Sequence, residues 1–190
     1  MTPLAFNLLS IVTTFAMLLI FIRFMLQFAG ISSRNPYVEP AYKTTKIVDL
    51  FESIFPTIGQ GRISLAAIAL MFLIRLVDLS ATAGLAGHGF TPLELFFSGS
   101  LSLILDFLAM CRYLIMGSII LSWVVMFTNS MHPMIEIIMQ LAEPILAPFR
   151  RLIPNIGMLD LSPIIAFFAL ALAERLVRSI AVMIAPMLGG

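Results

Sequence analysis

Long apolar stretches alternate with segments where charge returns, and this alternation sets the organisation of the chain. Crossing a hydrocarbon core of about 30 Å takes roughly 20 mainly apolar residues. Residues 4–28, 63–85, 101–127 and 163–188 each reach that length. They predict an all-α membrane protein with four transmembrane helices. Local signals agree at two helix starts. Ser162 is placed to cap a helix whose first position is Pro163, and Ser64 opens the second span in the same way.

The two connections that carry basic residues also have a pattern. Between residues 36 and 55, Val38, Tyr42, Ile47, Leu50, Phe51, Ile54 and Phe55 recur near helical spacing, with Glu39, Lys43, Lys46, Asp49 and Glu52 among them. Between residues 134 and 153, Ile135, Ile138, Leu141, Ile145, Leu146, Phe149 and Leu152 do the same. A polar face opposite an apolar face predicts helices lying in the membrane interface. A cytoplasmic helical hairpin packed on itself is the competing expectation. Pro144 and Pro148 are expected to break the second segment, since an interior proline loses a hydrogen bond and clashes with the turn before it.

The halves of the chain match. Asn35-Pro36 corresponds to His132-Pro133, residues 54–59 to 152–157, Ser64 to Ser162, and Leu26-Gln27-Phe28 to Leu121-Ser122-Trp123. This order predicts two repeats, 1–90 and 91–190, each a helix, an amphipathic cytoplasmic segment and a second helix. With two spans apiece they enter from the same side and are related by an axis along the membrane normal. Arg34, Lys43, Lys46, Arg62, Arg150 and Arg151 occupy the connections within the repeats, whereas residues 80–100 hold no Lys or Arg. By the positive-inside rule both amphipathic segments face the cytoplasm and both termini lie outside it. Residues 1–30 read as a retained span, because their apolar run exceeds that of a cleaved signal and no basic residue precedes it.

Composition narrows function. The chain is 61% hydrophobic and 11% charged, where soluble domains carry about 25% charged residues, so lipid is its solvent. A net charge of +1 without a basic stripe argues against a nucleic-acid partner. Cys111 stands alone in an apolar run and reads as an inert packed thiol. His88 and His132 fall on opposite sides of the membrane and cannot share a metal, so neither metal nor cofactor is expected. Phosphate loop, HExxH and nucleophile elbow are missing, and catalysis is not expected.

The run Glu143-Pro144-Ile145-Leu146-Ala147-Pro148-Phe149-Arg150-Arg151, continuing through Pro154, Asn155 and Gly157 to Asp160, Ser162 and Pro163, resembles the YggT family of bacterial membrane proteins, related to YlmG proteins. The likeness covers essentially the whole chain and implies the bacterial inner (plasma) membrane. It also implies a role in envelope processes such as osmotic tolerance, cation uptake, division or membrane-complex assembly, without one settled activity. In the first repeat Glu52-Ser53 stands where the second has Arg150-Arg151, and Arg62 where it has Asp160. A pair formed by the double arginine and the aspartate would then be lost or inverted in that half.

Two groups of residues are candidates for function. Arg75, Asp78, Asp106, Arg112, Glu174, Arg175 and Arg178 lie inside spans, where a charge costs about 2.5–3.5 kcal/mol on insertion scales and needs a partner or water. Arg75 and Asp78 share a face, as do Glu174 and Arg178. Asp106 and Arg112 point to different neighbours, so pairs between helices are expected among Arg75, Asp106, Arg112 and Glu174. The group either fixes helix register or lines a polar crevice for an ion or headgroup. Glu143, Arg150, Arg151 and Asp160 form a cytoplasmic candidate for lipid contact or docking. Arg23, near an inner helix end, is expected to snorkel, and Trp123 to anchor at the interface. The primary expectation is a non-enzymatic membrane protein acting through lipid, unidentified membrane proteins or a second copy of itself. The alternative is an ion channel or transporter-related protein using the intramembrane charges.

Overall fold

The computed structural model describes residues 3–87, 89, 91–152 and 160–188. His88 and the repeat match over residues 153–157, apart from Leu152, lie outside the described residues. Helix α1 (Pro3–Phe28) is followed by short α2 (Glu39–Thr44) and α3 (Ile47–Glu52), then by a hairpin of β1 (Thr57–Ile58) and β2 (Ile63–Ser64). Three long helices and one amphipathic helix complete the chain: α4 (Leu65–Ala86), α5 (Pro92–Thr128), α6 (Pro133–Leu152) and α7 (Ser162–Leu188).

Helices α1, α4 and α5 are long and apolar enough to cross a membrane. Their large apolar side chains face outward: Leu8, Ile11 and Phe15 on α1, Leu73 and Val77 on α4, and Ile104 and Ile120 on α5 are all exposed. Water would penalise each such residue by about 1.5–3 kcal/mol, so this surface is suited to lipid. The buried centre joins α1 (Met17, Phe21, Phe24, Met25) to α4 (Ala66, Ala67, Leu70, Met71) and to Cys111 of α5. Phe107 of α5 sets its ring edge-on to Phe21 and Phe24, at 5.3 and 5.6 Å. Helix α4 packs on α1 and α5, and α7 packs on α5 and α6. Close approach of α4 and α5 depends on Gly99, where a Cβ would come within 2.6 Å of Leu76 Cδ2.

The helix ends have specific causes. Helix α1 stops at Gly30, whose φ of +74° is open to glycine without penalty, and Ile31 N–H returns to Leu26 O at 2.9 Å. Ser64 caps α4 as expected, accepting from Ala67 N–H at 3.2 Å. At α7 the oxygen meeting the helix start is Asp160 Oδ1, which accepts Ser162 N–H at 2.9 Å, whereas Ser162 was expected to supply the cap. Helix α5 begins nine residues before the expected span. Thr91 and Glu94 form a reciprocal capping box there, with bonds of 3.2 and 2.8 Å.

Both connections depart from their sequence reading. The first is two helical turns rather than one helix. Thr45 Oγ1 donates to Ala41 O at 2.7 Å, and the chain bends there before α3 starts. In the second, α6 runs unbroken through Pro144 and Pro148. The two carbonyls deprived of an i+4 partner belong to Gln140 and Pro144, which lie away from the buried face, where the loss is least costly. That face, with Ile137, Leu141, Ala142 and Leu146, packs on α5 and α7. In the first connection Ile47, Leu50 and Ile54 remain exposed.

Candidate functional site

Side-chain spacing along α4 carries the first charged group. Arg75 and Asp78, three residues apart, project to one side, and Arg75 Nη1 lies 2.8 Å from Asp78 Oδ2. The same guanidinium reaches Asp106 of α5, Nε to Oδ2 at 3.2 Å. From α1, Thr13 Oγ1 donates to Asp78 Oδ1 at 2.9 Å, while Leu9 O lies 3.0 Å away as a competing acceptor. Three helices thus meet at one carboxylate–guanidinium–carboxylate set. Beside it is a cavity of about 60 Å³ lined by Thr13, Thr14 and Met17 of α1, Arg75 and Asp78 of α4, and Asp106 of α5. Its walls hold two carboxylates to one guanidinium.

A second pair joins α5 to α7. Arg112 Nη1 lies 3.3 Å from Glu174 Oε2, and its guanidinium is 5.5 Å from the centre of the Phe167 ring. Glu174 is 5% exposed, and its Oε1 is buried without a hydrogen-bond partner among the described residues. The four residues expected to form pairs between helices are therefore brought together as Arg75 with Asp106 and Arg112 with Glu174. Arg175 and Arg178 are not drawn in. Both are exposed, and neither makes an ion pair among the described residues. Glu174 turns to Arg112 on the neighbouring helix rather than to Arg178 on its own.

On the connection before α7, Arg150 bridges two acids: Nε lies 2.8 Å from Asp160 Oδ2, and Nη1 pairs with Glu143. Arg151 is exposed and outside this network. Partial burial lowers Arg150, but its bonds to Asp160 and Glu143 outweigh that and hold it above the usual guanidinium value. Partial burial likewise raises Asp160, yet bonds from Ser162 and Arg150 prevail and keep its carboxyl below the ordinary value. The sign follows from that depression: the unfolded carboxyl takes its proton near pH 3.9 and the folded one at lower pH. Stabilisation by Asp160 should be complete above about pH 4 and lost as pH falls through the folded value. Protection of the Ser162 amide against hydrogen exchange, corrected for intrinsic rate, should hold at pH 5 and fall in strong acid. Within residues 1–90, the expected first repeat, Glu52 and Arg62 form no ion pair among the described residues. Glu52 instead lies 3.5 Å from Ser64 Oγ, so the pair is lost there rather than inverted.

Sequence reasoning missed the role of Arg23. Its side chain does not snorkel. It is buried, with Nη2 2.5 Å from Asp49 Oδ1 and its guanidinium 3.9 Å above the Tyr42 ring. A lone charge at an inner helix end, with an acid in the next connection, was the only available signal. Among the described residues, no cluster of His, Cys, Asp or Glu is suited to a metal.

Known proteins are similar to this chain in sequence. A family described as CCB3/YggT matches residues 97–181. An uncharacterised protein of Pseudomonas aeruginosa is 35% identical over 164 residues, covering 85% of this chain and 81% of its own. One of Haemophilus influenzae is 31% identical over 162 residues, with 85% and 83% covered. The uncharacterised protein YggT of Escherichia coli (strain K12) is 27% identical over 168 residues, with 87% and 84% covered. No solved structure matches.

Proposed function

This chain belongs to the CCB3/YggT family, and on that footing we propose a non-enzymatic inner-membrane protein that supports envelope processes through contacts with lipid and other membrane proteins. In this reading α7 is the fourth span. Glu174 is neutralised by Arg112, and Arg175 and Arg178 lie about 20 and 24 Å along the helix, within reach of the outer headgroups. Two parallel repeats, divided near residue 90, are supported by the matching partners α1 with α4 and α5 with α7. The family match over residues 97–181 also falls within one such unit.

One observation carries this reading: Arg75, Asp78, Asp106, Arg112 and Glu174 are spent on one another, within α4 and between helices. Mutual pairing holds the bundle in register and leaves a cavity of only about 60 Å³. Contact with partners then falls to the cytoplasmic face, where Ile47, Leu50 and Ile54 are uncovered and Arg151 is free of the Arg150 network.

The excess of carboxylate in that cavity favours the second reading, an ion carrier or channel. Cation flux into liposomes containing the protein, with and without Arg75→Gln, separates the two. A supporting protein leaves flux at the protein-free rate. Flux that Arg75→Gln abolishes at normal protein level would establish transport instead. Crosslinking in intact membranes should recover partner proteins, and a set unchanged by Arg150→Gln with Arg151→Gln would reject docking at those arginines.

A further inference from the structure

Where the two repeats' Xaa-Pro motifs approach each other, a cleft of about 520 Å³ opens between the segment after α1 and the first turns of α6. Ser32, Arg34, Asn35 and Tyr37 line one wall, Glu136 and Gln140 the other. Tyr37 sets its ring edge-on to His132 at 6.1 Å, and Asn35 Oδ1 accepts Tyr37 N–H at 3.0 Å, so both rims are held. Arg34 and Glu136 carry opposite charge into the cleft without pairing with each other. The Arg34 guanidinium has no partner among the described residues, and Glu136 accepts only from the neutral amide of Gln140, at 3.1 Å. The α6 start offers little to an anion, because the N–H groups of Met134, Ile135 and Glu136 are already bound to His132. A negative group in this cleft must therefore go to Arg34.

We propose that this cleft binds the headgroup of a zwitterionic phospholipid with a primary amine, its phosphate on Arg34 and its ammonium on Glu136. Charge complementarity selects this occupant. An anionic headgroup would satisfy Arg34 and leave Glu136 opposed, whereas phosphate and ammonium on one short linker answer both. A carboxylate also takes hydrogen bonds from a primary ammonium that a quaternary one cannot donate. The volume lies in the range of small-molecule sites. The inference rests on the reading above that these connections face the inner leaflet, at headgroup depth.

The test uses the full chain in vesicles of phosphatidylethanolamine, phosphatidylcholine and phosphatidylglycerol, extracted in a polymer that retains neighbouring lipid. Mass spectrometry should find phosphatidylethanolamine enriched about threefold over the bulk, a modest factor because both charges are partly solvated. Arg34→Gln and Glu136→Gln should each return it to the bulk ratio, and Arg62→Gln, outside the cleft, should not. Equal enrichment of phosphatidylcholine would overturn the proposal. So would a preference for phosphatidylglycerol that survives Glu136→Gln, or displacement of the lipid by soluble phosphoethanolamine at equal concentration. Thiol labelling of Ser33→Cys with an impermeant reagent reports orientation separately. Labelling from outside intact cells refutes the inner-leaflet reading, whereas protection there with no lipid preference refutes only the headgroup site.

Discussion

Arg112→Gln should destabilise the bundle by about 3–5 kcal/mol, the usual cost of removing one partner from a buried ion pair. The loss is steep because of what remains. Glu174 is 5% exposed, and its Oε1 already lacks a hydrogen bond among the described residues, so without Arg112 it keeps no ion-pair partner among them. The double variant with Glu174→Gln should recover most of the loss, since two neutral amides avoid the stranded charge. Unfolding in mixed micelles across the four-member cycle measures this directly. A double variant as unstable as Arg112→Gln would mean that packing of the arginine on Phe167, rather than its charge, holds α5 to α7.

Arg23→Leu should cost less, about 1–3 kcal/mol, and mainly in one region. Asp49 is half exposed, so water can take over its solvation once the guanidinium is gone. What α1 loses is its clamp on α2 and α3, because Arg23 both pairs with Asp49 and stacks on Tyr42. Hydrogen exchange over residues 39–52 should accelerate, with the spans little changed. Arg23→Lys should restore only part, since an ammonium keeps the charge and loses the flat face. Burial already raises the Tyr42 phenol, and Arg23 pulls it partly back, so Arg23→Leu should raise its titration further. An unchanged Tyr42 titration in the variant would remove this account of the clamp.

Three of the spans, at α1, α4 and α5, were legible because length and apolarity are properties of a single segment. Ser64 could be read for the same reason: a cap needs only its own neighbours. Pairing between helices was half legible. The cost of charge in lipid said that Arg75, Asp106, Arg112 and Glu174 needed partners, and geometry along α5 sent Asp106 and Arg112 to different ones. Which acid met which arginine depended on helix contacts that no spacing encodes. Helix α6 misled the reading because a penalty for proline is not a prohibition. With Pro144 and Pro148 four positions apart, both lost bonds fall on one outward side. The early start of α5 had a readable signal that was passed over: Thr91-Pro92-Leu93-Glu94 has the spacing of a capping box. The cleft at Arg34 and Glu136 was out of reach, since its two charges lie 102 positions apart in the chain.

Helix α5 has 37 residues and is about 55 Å tall, nearly twice the hydrocarbon thickness. Even leaning at 40°, the upper end of common tilts, it would rise about 42 Å along the membrane normal. Some 10 Å of it must therefore stand clear of the oily layer, as a stiff mast rather than a floppy tether. Anything that grips that overhang would pull on the whole rod, and so on both charge pairs at once, because Asp106 and Arg112 are rungs of the same ladder.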